Sequence, residues 1–340
     1  MLRIGLIGYG LWGRHHACAM RESEGVALRA IACASEATAA AARADFPAIP
    51  VVIGDAALLA LPGIDAVAIV TPNHLHANMA VAALEAGKNV LLEKPMALSV
   101  ADCARINDTA RRLQRVVSVV HQFRLSTQWG AFKASIDAGE IGEPRYANIS
   151  LFRFPYRPGS GGWRHDPDKV GSWILEEPVH FFDTVMWCFQ CLGDPVSVWA
   201  TGNAPAGGGV MHENFSCVLR WPGGAYATIT QTLGGFENHQ VMELSGKEGS
   251  MRTWWSGATD RSRSPAFELK RKRHATEQVE TVAIGASGEV FELAETYRRI
   301  GAAFASKQTL VSGEEASKRI HVCREAERSL ATGRELALVF

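Results

Sequence analysis

The sequence predicts an α/β chain of two domains, a doubly wound parallel sheet followed by a region of antiparallel strands. Three observations predict it. Apolar runs alternate with helical stretches from residue 2 to about residue 123, the βαβ rhythm of a mostly parallel sheet covered on both faces. Gly8, Gly10 and Gly13 stand in GxGxxG spacing between the first strand and the first helix. From about residue 196, short strands separated by Gly and Pro turns take over. A length of 340 residues suits two domains, divided as 1–121 and 122–340.

The elements follow in order. Leu2–Ile7 is an apolar strand, and a helix runs from about Trp12 to Arg21. Gly8 permits a tight turn, Gly10 lets backbone approach a pyrophosphate, and Gly13 lets the helix pack close to the strand. Tyr9, Leu11 and Trp12 share this loop and are cofactor-binding candidates with the three glycines. "VALRAIACA" is the second strand and "SEATAAAARADF" its helix. NAD binders usually end that strand in an acid for the ribose hydroxyls. Here Cys33 stands at that point, with Ser35 as a candidate contact. NAD and NADP both stay open, and the missing acid tilts toward NADP. "GIDAVAIVTP" and "NVLLEKP" are buried strands around the helix "HLHANMAVAALEAGK". "SVADCARINDTARRLQ" is a helix with Ser99 and Asp102 placed as a capping box. "VVSVVHQF" is the last strand of this series.

Composition narrows the function. Net charge is zero, so nothing favours nucleic acid or an acidic membrane surface. No run of about 18 apolar residues appears, so no membrane span is expected. The N-terminal stretch reads as strand and turn, not as a secretory signal. Seven scattered cysteines suggest reduced thiols in a cytoplasmic setting. Cys188 and Cys191 have CxxC spacing, but without a second pair they read as apolar packing in a buried helix. His74 and His76 lack a third ligand, so no metal is expected.

The second half opens with a helix, a turn at Gly139–Pro144 and a strand from about Tyr146. "PYRPGSGGWRHDPDKVGSW" is a Gly/Pro-rich loop with Tyr156, Arg157, Trp163, Arg164 and His165, a composition that suits a polyhydroxylated ligand. Arg153, Arg157 and Arg164 together hint at an anionic sugar. "WILEEPVHFFD", Trp173–Asp183, places Glu176, Glu177 and His180 in an apolar run, where charge is costly without a reason. Antiparallel strands follow to about residue 284, and Ser312 with Glu315 caps an amphipathic C-terminal helix.

The GxGxxG start, "TPNHLHANMAVAALEAGKNVLLEKP" and the later histidine together resemble the glucose–fructose oxidoreductase/inositol dehydrogenase (Gfo/Idh/MocA) family. Thr71, Pro72, Asn73, His76, Gly87, Lys88 and Glu93-Lys94-Pro95 all match the family pattern. The resemblance implies an N-terminal Rossmann domain and a C-terminal domain with a large open sheet that often forms homodimers or homotetramers. It implies an NAD(P)-dependent oxidoreductase acting on a secondary alcohol or ketone of a sugar, cyclitol or derivative. It implies Lys94 as the polarising group, often before a cis proline, with Glu93 helping to hold it and the nicotinamide region. His180 is implied as acid/base. Thr71, Pro72, Asn73 and His76 join the cofactor contacts, and Arg124, Trp163 and Arg164 match recurring substrate positions. Relatives typically carry D-x-G-x-H-x-x-D where this chain has Glu176, Pro178, His180 and Asp183. Glu176 is therefore expected to contact substrate or orient His180, and Glu177 to cap a helix starting near it or to face solvent. Two rival readings are a redox-assisted glycoside hydrolase and a non-catalytic dinucleotide-sensing protein.

Overall fold

The computed structural model describes residues 1–204 and 211–340. The chain divides into two compact units. The first joins Met1–His121 to Ser160–Gly171 and Leu293–Ile320; the second comprises Gln122–Gly159, Ser172–Glu292 and His321–Phe340. Among the described residues, no helix is long and apolar enough to cross a membrane.

The first unit contains β1 (Leu2–Ile7), α1 (Leu11–Glu22), β2 (Val26–Cys33), α2 (Glu36–Asp45), β3 (Val51–Ile53), α3 (Asp55–Leu59), β4 (Ala66–Ile69), α4 (His76–Glu85), β5 (Asn89–Glu93), α5 (Val100–Arg112) and β6 (Val117–Val120). The strands pair in the order β3-β2-β1-β4-β5-β6, all parallel. This is the doubly wound order with its crevice at the switch between β1 and β4. The expected capping box forms, with the Asp102 amide donating to Ser99 Oγ at 3.0 Å.

The second unit carries α6 (Thr127–Asp137) and β7 (Pro144–Phe152). The short α7 (Pro167–Val170) returns to the first unit, and α8 (Trp173–Glu176) and α9 (Val179–Cys188) resume the second. Then come β8 (Ser197–Asn203), β9 (Asn214–Arg220), β10 (Tyr226–Thr232), β11 (Asn238–Gly246), β12 (Gly249–Gly257), β13 (Ala266–Arg273) and β14 (Glu280–Thr281). After them run α10 (Glu289–Ala305), α11 (Gly313–Thr332) and β15 (Leu336–Ala337). The nine strands order as β14-β13-β12-β11-β7-β10-β9-β8-β15. Pairing is antiparallel except between β7 and β10. Burial alternates along the central strands: Ala147, Ile149 and Leu151 are fully covered, while Phe152 at the end of the same strand is 48 % exposed. Period-two alternation of this kind leaves one sheet face for α6 and α9 and the other outward.

Helix α10 has no counterpart in the sequence reading, and from Leu293 onward it belongs to the first unit. Leu293, Tyr297, Ile300 and Phe304 recur at helical spacing, and all four enter the first unit's core beside Ile4, Leu6 and Met20. Burying side chains of this size contributes about 1.5–3 kcal/mol each, enough to hold a late segment on an early sheet.

Just before that stripe, in the second unit, Glu292 is 2 % exposed. Ser287 Oγ and the Gly288 amide donate to its Oε1 at 3.3 and 3.2 Å. Burial pushes its carboxyl up to about 7, outweighing the opposing hydrogen bonds from Ser126, Gly288 and Ser287. The folded state therefore keeps a proton that the unfolded chain, near 4.5, has lost. Stability falls as pH rises through that window. Glu292→Gln is expected to remove most of this slope, melting several degrees above the parent at pH 8 and with it at pH 4.5. Calorimetric scans across pH check it, and identical pH slopes for the two proteins would refute it.

Candidate active site

In the first unit the site grows from the carboxyl ends of β1, β4 and β5. Gly8 has φ of +101°, and a Cβ there would lie 2.1 Å from the Val70 carbonyl oxygen. A Cβ on Gly13 would lie 2.1 Å from the Gly8 carbonyl oxygen, whereas one on Gly10 would meet nothing within 4 Å. Gly8 and Gly13 thus let backbone pack on backbone, and Gly10 keeps volume open at the start of α1. No side chain caps that helix start, so its first-turn N–H groups suit a dinucleotide pyrophosphate. The loop fits the cofactor expected of it.

The neighbouring candidates take distinct places. Tyr9 turns inward, donating from its hydroxyl to Asp45 at 2.7 Å. Leu11 is 59 % exposed. Trp12 donates from Nε1 to Glu93 Oε1 at 3.0 Å. Ser35 caps α2, accepting from the Thr38 amide. Cys33 is buried at the end of β2, and burial pushes its thiol up. Thr71 and Pro72 lead into a 3-10 turn over Asn73–Leu75, and Asn73 Nδ2 donates to the Val170 carbonyl at 3.1 Å. His76 is fully buried, its ring nitrogens 2.7 Å from the Pro95 carbonyl and 3.0 Å from that of Thr71. Burial pushes its pKa down although both carbonyls favour the charged form.

Glu93 closes β5 at 4 % exposure. Its Oε1 receives Trp12 and lies 2.9 Å from His16 Nε2. Its Oε2 accepts from the Lys94 amide at 3.2 Å. Burial opposes its charge, but His16, Lys94 and Trp12 outweigh that and hold the carboxyl below its usual range. The Lys94–Pro95 peptide is cis. Trp163 and Arg164 also belong to this unit, in a 3-10 turn over Ser160–His165, with the guanidinium 4.6 Å from the indole centroid.

The second unit holds Arg124, Glu176 and His180. His180 lies in the first turn of α9, 1 % exposed, its ring stacked on Phe123 at 5.0 Å. One turn later Asp183 grips Arg124 bidentately, Nε at 2.9 Å and Nη2 at 2.7 Å. The last acid of the motif therefore orients the arginine matched as a substrate contact.

The expectation for Glu177 is corrected. Pro178, not Glu177, is the N-cap of α9, and no side chain caps the helix. Glu177 is 5 % exposed and paired to Arg153 at 2.8 Å. The reason is charge pairing: Asp260 also lies 3.6 Å from Arg153, and Glu177, Asp260 and Glu289 bring carboxylate oxygens within 4.8 Å of one another. Arg153 supplies the compensating positive charge inside that cluster, which removes it from the arginines hinting at an anionic sugar. Glu176, also 5 % exposed, ends α8. Val179, Phe182 and Met186 are buried. Cys188 is buried, but α9 ends there, so Cys191 is exposed rather than packed in the helix.

His16 and Tyr297 are missing from the sequence reading. His16 sits one helical turn after Trp12, a spacing that puts both on one face of α1. The apolar stripe of α10 could have revealed Tyr297.

The glycines differ in what a methyl group would strike. Gly13→Ala is expected to destabilise by about 1–3 kcal/mol through overpacking. Gly10→Ala should melt with the parent yet weaken NAD or NADP binding at least about tenfold, roughly 1.4 kcal/mol. Thermal scans and cofactor titrations check the pair; a Gly10→Ala protein that binds normally would contradict the cradle.

Residues 2–121 match the GFO_IDH_MocA family, described as an oxidoreductase family with an NAD-binding Rossmann fold, and residues 129–252 match the GFO/IDH/MocA C-terminal domain. An uncharacterized oxidoreductase of Escherichia coli, YdgJ, is 32 % identical over 65 % of this chain and 62 % of its own. Inositol 2-dehydrogenase 1 of Saccharopolyspora erythraea is 34 % identical over 52 % of this chain and 56 % of its own. The chain thus spans about three-fifths of the length of these relatives. The aldose-aldose oxidoreductase of Caulobacter crescentus shares the fold, with a TM-score of 0.86 at 19 % identity over 99 % of both chains. With both of its domains matched and the doubly wound NAD-binding topology in place, the chain belongs to the Gfo/Idh/MocA family of oxidoreductases.

Proposed function

We propose that the protein is an NAD(P)-dependent oxidoreductase moving a hydride between nicotinamide and a secondary alcohol or ketone of a sugar, cyclitol or sugar derivative. One observation carries the reading. Lys94 follows the carboxyl end of β5, at the same sheet end as the GxGxxG loop, and its amide is held by a buried carboxylate. Open α/β sheets take their ligands at that end. The inositol dehydrogenase relative supports a cyclitol or sugar as substrate class.

When bound, the dinucleotide supplies or accepts the hydride. Every other role falls to side chains of this chain. Gly8, Gly10 and Gly13 with Tyr9, Leu11, Trp12 and Ser35 form its cradle, and Thr71, Pro72 and Asn73 line the loop after β4. His76 acts through the backbone of Thr71 and Pro95. Lys94 draws charge toward the reacting oxygen, and His180 holds or releases the hydroxyl proton. Arg124, Trp163, Arg164 and Glu176 bind the polyol.

A panel of sugars, cyclitols and sugar acids, assayed with NAD and NADP in parallel, is expected to contain a substrate read as nicotinamide absorbance. Lys94→Ala and His180→Ala should each lower kcat about 10²–10⁴-fold with cofactor affinity largely kept. Full turnover in Lys94→Ala would falsify the assignment, and aglycone release without net NADH would move it to hydrolysis.

The outward face of the nine-stranded sheet supports a homodimer or homotetramer. Phe152, Trp199 and Tyr226 are 48 %, 37 % and 39 % exposed on it, an apolar surface of the kind that marks protein contacts. Trp199→Lys with Tyr226→Lys is expected to lower the mass seen by light scattering, and an unchanged mass would exclude this face.

A further inference from the structure

We propose that His16 and Tyr297 are positioning residues for Lys94: with Trp12 they form a buried hydrogen-bonded chain that clamps Glu93, and Glu93 in turn clamps the Lys94 backbone. The inference rests on the catalytic reading of Lys94 and extends it to two side chains that touch no reacting atom.

The geometry is continuous. Tyr297 Oη is 2.7 Å from His16 Nδ1. His16 Nε2 is 2.9 Å from Glu93 Oε1, which also receives Trp12 Nε1 at 3.0 Å. Glu93 Oε2 receives the Lys94 amide at 3.2 Å. A carboxylate only accepts, so His16 Nε2 is the donor to Glu93, and Nδ1 shares a hydrogen bond with the Tyr297 hydroxyl. Burial and the nearby Glu93 charge both keep that phenol protonated. The rings lock edge to face, Trp12 to His16 at 5.3 Å and His16 to Tyr297 at 5.7 Å. His16 and Tyr297 are fully buried.

The four members come from three elements. Trp12 and His16 lie on α1, whose start forms the pyrophosphate cradle. Glu93 ends β5, and Tyr297 lies on α10. The chain therefore fixes the helix that takes the phosphates and the strand that presents Lys94 in one register. A packing tyrosine needs only its ring, so the hydroxyl is the atom that tests the idea.

Tyr297→Phe keeps the ring and deletes the hydroxyl. With NAD or NADP and whichever panel alcohol is oxidised (myo-inositol first), kcat is expected to fall about five- to tenfold, the loss of one buried hydrogen bond from the positioning chain. KM and the cofactor Kd should stay near parent values, while the melting temperature should drop by the few degrees that a buried His16 Nδ1 without its partner costs. The same change in a Lys94→Ala background should add no further loss, because the chain acts through that lysine. The ¹⁵N shift of His16 Nδ1 should move in Tyr297→Phe without cofactor or substrate, reporting the lost hydrogen bond apart from turnover. His16→Gln, which can still donate to Glu93, should retain more activity than His16→Leu. An unchanged kcat in Tyr297→Phe, a loss additive with Lys94→Ala, or parallel loss of kcat, KM and Kd overturns the proposal. Full turnover in Lys94→Ala alone would instead sink the catalytic reading on which it rests.

Discussion

The Glu93 carboxylate is the constraint around which the first unit is organised. At 4 % exposure it is largely cut off from solvent, and an uncompensated buried charge is among the most costly features a fold can carry. It persists because three donors converge on it from α1 and from its own successor residue. Satisfying those donors forces α1 to lie at one distance from β5. The GxGxxG loop then inherits its position, since it is the turn between β1 and that helix. Gly13 completes the fit from the other side, where α1 approaches the strand so closely that no side chain fits.

The second unit solves a similar problem with opposed charges. Arg124 and Asp183 form a pair only 9 % and 1 % exposed, and Arg153 sits against Glu177 and Asp260. Removing one partner of such a pair costs about 3–5 kcal/mol, because the other charge is left buried and alone. These pairs anchor both ends of the segment carrying His180, one just before α9 and one a turn into it. The stacked Phe123 ring then fixes the imidazole plane. His180 therefore sits on a helix pinned by charge on either side, the support that its proposed acid/base role calls for.

Much of this was legible in the sequence wherever the signal is local. Strand and helix alternation, the three glycines and the Ser99 cap all depend on residues within a few positions of one another. The glycine spacing even encoded the division of labour seen in space, two for packing and one for open volume. What was not legible is long-range. His16 meets Tyr297 across 281 positions, and a histidine beside His15 on a helix carries no mark of burial. Arg153 finds Glu177 only once β7 and the turn before α9 are placed. That contact decides which of two adjacent acids is neutralised by arginine, a choice that composition leaves open. The α10 stripe was local and readable, but its destination on the first sheet was not.

On the proposed function, buried charge also explains why such networks serve positioning more than stability. Apolar side chains of similar volume would hold α1 on β5 as well or better, since a buried polar network at best recovers its desolvation cost. Hydrogen bonds add direction, which apolar packing lacks. Leu or Met in place of His16 would leave α1 able to slide by a fraction of its rise against β5, and Lys94 would slide with it. A hydride moves only over a short, well-aligned gap, and misplacement of about 1 Å can cost about a hundredfold in rate. On the role proposed for Lys94, a fold that holds its ammonium group to that tolerance gains from an otherwise expensive carboxylate at its base, with the histidine and tyrosine behind it keeping that carboxylate in place.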